Sequence, residues 1–154
     1  LAIISTEVPM LVDITKLATL TGIARTTILA YLQYLHEAKL IRLLYSDDLS
    51  VKKMQKPDKI LMENTNLLQA LSLQVPNIGT MRETFFCNQL GYTHQVEYNK
   101  RGDYLIDHKY VFEIGGKAKD GKQVANMENA YIASDECDYP IGNKLPLWLF
   151  GLTY

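Results

Sequence analysis

The chain has 154 residues, 47% hydrophobic and 21% charged, with a formal net charge of −1 at pH 7. That composition suits one ordinary globular domain or two small ones. It excludes a uniformly basic nucleic-acid binder, so any contact with nucleic acid must come from a local patch.

No apolar run approaches the roughly 20 residues that span a membrane as a helix. Cys87 and Cys137 match no metal-ligand spacing and read as free thiols of a reducing cytoplasm. The opening "LAIISTEVPMLVD" has no initiator Met and no basic n-region, so it reads as the interior of a longer protein rather than a signal peptide.

In chain order, "DITKLATLTGI" predicts a helix with Ile14, Leu17 and Ala18 on its apolar face and Asp13 or Thr15 as its cap. Gly22 breaks it, because glycine accepts the positive φ of a tight turn. "ARTTILAYLQYLHEAKL" carries Ile28, Leu29, Leu32 and Leu35 at helical spacing, completing a helix-turn-helix. The runs "LIRLLYS" and "KILMEN" read as two strands around a loop holding Lys52, Lys53, Lys56 and Lys59, the pattern of a winged helix. As a DNA reader, its second helix would enter the major groove with Arg25, Thr26 and Thr27, while the loop lysines would neutralise phosphates. Tyr31, Gln33 and Tyr34 on the same helix suit a protein interface equally well.

"TNLLQALSLQVPNIG" predicts a short helix and then a linker broken by Pro76, Asn77 and Gly79. Beyond it, "TMRETFFCNQLG" predicts a helix, and "THQVEYN", "DYLID" and "KYVFEIGG" predict strands. "KQVANMENAYIAS" predicts a second helix, and "LPLWLFGL" a final buried strand that takes Trp148 into the core. His36, His94 and His108 share no ligand spacing and read as surface residues.

Two chemistries compete for "EIGGKAKDGKQ". Gly116, Gly121 and Lys122 match G-x-x-x-x-G-K, but Gln123 stands where a P-loop needs a Ser or Thr for Mg²⁺. The interior "KAKD" also lacks small residues that would let backbone wrap a phosphate. The carboxylates support a different chemistry. Asp103 and Glu113 flank a predicted tight hairpin at "IDHK", and Glu83 lies on the preceding helix. Hard oxygen ligands of this kind suit Mg²⁺ or Mn²⁺, which activate water and stabilise charge on a phosphodiester. Carboxyls pointing apart, or an Arg or Lys occupying the space between them, would end the metal-dependent nuclease reading.

The order helix, three strands, helix, strand, with Glu83, Asp103 and Glu113 so placed, resembles the PD-(D/E)XK nuclease superfamily over residues 79 to 150. The resemblance implies metal binding by Asp103 and Glu113, with Glu83 as a further ligand, and a water-orienting lysine two residues after Glu113. That position is Gly115, so Lys117 or Lys119 would have to reach back, and Lys117 is the candidate catalytic lysine. Gln123 stands where relatives carry a polar residue facing the site.

A winged helix followed by "GTMRETFFCNQL", "RGDYLID", "VFEIGGKAK" and "LPLWLFGLTY" further resembles the C-terminal region of bacterial (Bacteroides-type) AAA-family ATP-binding proteins. That resemblance implies a P-loop and its ATP upstream of Leu1. The expectation is therefore an α+β chain, with a winged helix-turn-helix at 1–75 and a restriction-endonuclease-like αβββαβ domain at 79–154. The expected partners of this cytoplasmic module are double-stranded DNA, the chain's own upstream ATPase module or a second copy of itself, with no membrane. Its nuclease-like half would be inactive or weakly active. The alternatives are a protein-interaction or oligomerisation module and a Mg²⁺-dependent DNase.

Overall fold

A computed structural model describes residues 1–46, 56–117, 119, 121–122, 124 and 127–153. The chain is α+β and divides into two units, Leu1–Pro76 and Asn77–Tyr154.

In the first unit the helices are α1 (Ala2–Glu7), α2 (Ile14–Thr21), α3 (Arg25–Glu37) and α4 (Thr65–Leu71), with strands β1 (Met10–Leu11), β2 (Ile41–Leu44) and β3 (Lys59–Met62). The antiparallel sheet has the order β1-β3-β2. Asp13 caps α2 as expected, accepting from the N–H groups of Thr15 and Lys16 at 2.9 and 3.0 Å. Gly22 ends that helix at φ +69°, and its N–H closes on Ala18 O. Helix α1 and strand β1 lie where the sequence suggested only an interior segment. They are too short to show a period, and β1 is stabilised by pairing with β3.

All four residues of β2 and of β3 are buried, so neither strand has a solvent face. Each therefore hides a charge. Arg42 and Glu63 form an ion pair at 2.6 Å, with side chains 11% and 3% exposed. Lys59, expected in the loop, opens β3 opposite Leu44 and is 7% exposed.

In the second unit, α5 (Ile78–Leu90) covers a sheet of β4 (Val96–Tyr98), β5 (Tyr104–Ile106), β6 (Tyr110–Gly115), β7 (Ala130–Ser134) and β8 (Lys144–Pro146), in that spatial order. Strands β4, β5 and β6 are an antiparallel meander, and β7 and β8 add in parallel. Asp107 and His108 form the β5–β6 turn with φ of +52° and +55°, the paired positive values of a type I′ hairpin.

Phe86 of α5 anchors the helix to the sheet. Its ring lies 5.9 Å from Tyr104, 5.1 Å from Phe112 and 4.8 Å from Phe150. Val111, on the other side of β6 from Phe112, packs with Leu105, Val124, Ala130 and Ile132.

Two predicted elements are corrected. Residues 122–134 are not one helix: Lys122 and Val124 lie in turns, Asn129 takes φ +56°, and Ala130–Ser134 is a strand held between β6 and β8. The spacing of Val124, Met127 and Tyr131 mimics a helical face, but "AYIAS" is buried from both sides as a central parallel strand. The final segment is strand only through Pro146, which has no N–H to extend a ladder. A 3₁₀ helix, Leu147–Leu152, follows. It buries Leu147 and Phe150, three apart on one edge, and leaves Trp148 54% exposed.

Candidate functional site

The β5–β6 pair builds the carboxylate site. Asn99 Oδ1 accepts from the N–H groups of Arg101 and Gly102, turning the chain out of β4 and into Asp103. Gly102 is required there, since a Cβ would lie 2.7 Å from Val111 Cγ1 and 2.9 Å from Phe112 O. The Asp103 N–H donates to Phe112 O at 2.8 Å, and its Oδ2 accepts from the Ile114 N–H at 2.6 Å. The Asp103 carboxylate is thus fastened to the backbone beside Glu113, as the hairpin predicted.

Glu113 is 2% exposed, and its two oxygens differ. Oε1 pairs with the ammonium of Lys119 at 2.9 Å, while Oε2 is buried with no hydrogen-bond partner. Burial pulls the Lys119 ammonium down, but the hydrogen bond and charge of Glu113, with the charges of Asp103 and Glu83, outweigh it and hold the group above its ordinary value.

Lys117 is not the lysine that reaches the site. Its side chain is exposed, and its carbonyl accepts from Lys144 Nζ at 2.7 Å. The lysine at Glu113 is Lys119, and Gly115 is the reason. A Cβ at position 115 would fall 2.7 to 2.9 Å from three carbons of the Lys119 stem. The bare glycine where a lysine was expected is the bed across which another lysine lies. Nothing in the linear spacing gives that away, because it depends on the turn that brings the Lys119 N–H onto Gly116 O.

Glu83 approaches from the helix layer. Its Oε2 accepts from the hydroxyl of Tyr104 at 2.5 Å, and Tyr104 is fully buried against Phe86. Burial first, then the nearby Cys87 and Glu83, push the Tyr104 hydroxyl well above its ordinary value, so it stays a proton donor to Glu83. The neighbouring Arg82 pairs with Asp135 at 3.1 Å and lies against Gly116.

Asp103 and Glu113 are therefore side by side, and Glu83 contributes its charge from the other layer. Among the described residues no three acids, histidines or cysteines form a metal-holding group. A basic side chain stands on Glu113 and feels the charge of Asp103, which weighs against a resident metal while Lys119 stays there. The hard oxygen donors of Asp103 and Glu113 are nonetheless of the kind that suit a divalent cation, with Glu113 Oε1 held by Lys119 and Oε2 sealed from solvent.

In the first unit, Arg25 and Thr26 stand exposed at the head of α3 and Thr27 is half-buried. Lys56 is exposed. It adds, after the Lys16 N–H, to the influences that lower the Asp13 carboxyl. Lys59 is buried in β3 and is removed from the phosphate-contacting set. Lys52 and Lys53 lie outside the described residues, as does Gln123. Tyr31 and Tyr34 are 51% and 63% exposed. Cys87 and Cys137 are free thiols, and among the described residues no helix is long and apolar enough to cross a membrane. The chain matches no protein-family model, no curated protein and no solved structure.

Proposed function

We propose that the chain is a nucleic-acid-associating module. On this reading its first unit is a winged helix that takes duplex DNA on the exposed head of α3. Its second unit is a PD-(D/E)XK-like domain whose phosphodiester site rests neutralised by its own lysine. The observation that carries this is Lys119 on Glu113 beside Asp103, a lysine in space where linear order has only Gly115. Asp103 and Glu113 would hold Mg²⁺ or Mn²⁺, which supplies an activated water and stabilises phosphodiester charge. The chain's own groups do the rest. Ile114 N–H fixes the Asp103 carboxylate, Tyr104 fixes Glu83, and Lys119 keeps the buried Glu113 compensated. The ATPase implied by the second resemblance is, on the same reading, a property of the parent chain.

The test is fluorescence anisotropy with labelled duplex DNA across a salt series, followed by plasmid nicking in Mn²⁺. Arg25→Ala and Lys56→Ala should each weaken binding and lower the log–log salt slope by about 1. Nicking should be slow and vanish in Asp103→Asn. Binding unaffected by salt or by both head and loop substitutions would reject the first half. Nicking that survives Asp103→Asn would reject the second. A protein-contact reading is favoured by Tyr31 and Tyr34, exposed on α3. Light scattering that shows a concentration-dependent dimer, lost in Tyr34→Ala, would replace DNA with protein as the partner.

A further inference from the structure

A buried carboxylate needs a counter-charge, and in this unit Lys119 supplies it to Glu113. Glu113 Oε2 is sealed from solvent and has no hydrogen-bond partner; Oε1 is capped by Lys119 Nζ at 2.9 Å. Lys119 itself is 34% exposed, so the ammonium stands between Glu113 and water. Its stem crosses Gly115 without being enclosed by a side chain there, and it leaves from a turn closed by Lys119 N–H on Gly116 O. Lys144 Nζ, bonded to Lys117 O at 2.7 Å and to Lys119 O at 3.5 Å, ties that turn to β8. The backbone is anchored, while the side chain lies along Gly115 and is held at its end by Glu113 Oε1.

We propose that Lys119 is an internal counter-cation occupying the approach to Glu113, so that a divalent cation reaches Asp103 and Glu113 only when the ammonium swings out. Regulation of the site is then an exchange of one cation for another. This rests on the reading of Asp103 and Glu113 as a metal pair and adds what controls it. The exchange follows from three placements. Oε2 is unreachable from solvent, Oε1 is already taken, and the group that takes it is the one with a path outward. Two cations at one oxygen also repel across a poorly screened gap, which disfavours joint occupancy.

The experiment is calorimetric titration of the full chain with MnCl₂, using wild type, Lys119→Met, Gly115→Ala and Asp103→Asn. Lys119→Met should bind Mn²⁺ about tenfold tighter or more, because no ammonium then has to be displaced; that factor lies within the range of typical coupling free energies between two bound species. Gly115→Ala keeps the ammonium and removes its bed, so it should also tighten binding. It decides the matter if Lys119→Met does not fold. Asp103→Asn should abolish binding. Equal or weaker affinity in Lys119→Met and Gly115→Ala, with wild type binding normally, overturns the exchange and leaves the metal pair standing. Absence of Mn²⁺ binding in wild type and both variants overturns the metal pair, and the exchange falls with it.

Discussion

Each unit buries a glutamate against a single cation, and the two pairs are built for different ends. Arg42 lies in β2 and Glu63 directly follows β3, with side chains 11% and 3% exposed. Glu113 is equally buried, but its partner comes from a turn and is 34% exposed. Both glutamates leave an Oε2 without a partner, so an orphaned oxygen alone does not mark a site. What distinguishes Glu113 is its company. Asp103 lies beside it, and the charges of Asp103 and Glu83 act on the same lysine. A salt bridge with both side chains buried is a lock, and one whose cation is a third exposed can be opened.

The largest effect should come from breaking the lock on one side. Glu63→Ala leaves the Arg42 guanidinium buried without its carboxylate, and removing one partner of such a pair costs about 3–5 kcal/mol. Urea denaturation measures this directly. The double substitution Arg42→Met, Glu63→Leu should recover most of the loss, because the lone buried charge is gone. A double variant as unstable as the single would mean the pair matters through shape and not charge.

Lys119→Met, measured in the same way, should cost clearly less than Glu63→Ala. Lys119 is 34% exposed, so water can follow the departing ammonium to Glu113, whereas the Arg42 side chain is only 11% exposed. The pH dependence has a definite sign. Lys119 is held above its ordinary 10.5, so its contribution is complete below that value and is lost as pH rises through the higher one. The alkaline loss should disappear in Lys119→Met. Equal costs for Lys119→Met and Glu63→Ala would erase the distinction between lock and latch.

Much of this was legible in the sequence where interactions are local. The Asp13 cap, the Gly22 stop and the Asp107–His108 turn each depend on neighbours within a few residues, and the β5–β6 hairpin then brings Asp103 to Glu113. The α+β class follows from the same local periods. Contacts that depend on distant chain were illegible. Lys119 reaches Glu113 only because Gly115 is empty and Lys144, on β8, holds the turn. The strand Ala130–Ser134 reads as helix in the sequence because its burial comes from β6 and β8, which no single window reveals. The Arg42–Glu63 lock left one visible sign, an arginine inside the apolar run "IRLL", whose meaning needed β3 alongside.

A third pair gives the smallest effect and fixes the low end of the comparison. Asp107 and His94 meet at 2.7 Å on the surface, both about two-fifths exposed. Asp107 is nonetheless held below its ordinary 3.8, first by the Gln95 N–H and then by His94. A lowered carboxyl contributes stability above 3.8 that is lost as pH falls through its own lower value. The substitution Asp107→Asn should flatten the acid limb of the stability profile only slightly. It should not disturb the hairpin, because asparagine tolerates the positive φ that position 107 requires. Thermal unfolding between neutral pH and the acid range checks this. If Asp107→Asn shifted the neutral-pH midpoint as far as Lys119→Met, exposure would not be what grades the three pairs. Their ranking would then have to come from backbone hydrogen bonds, which Asp107 also makes, and not from the ease with which water replaces the partner.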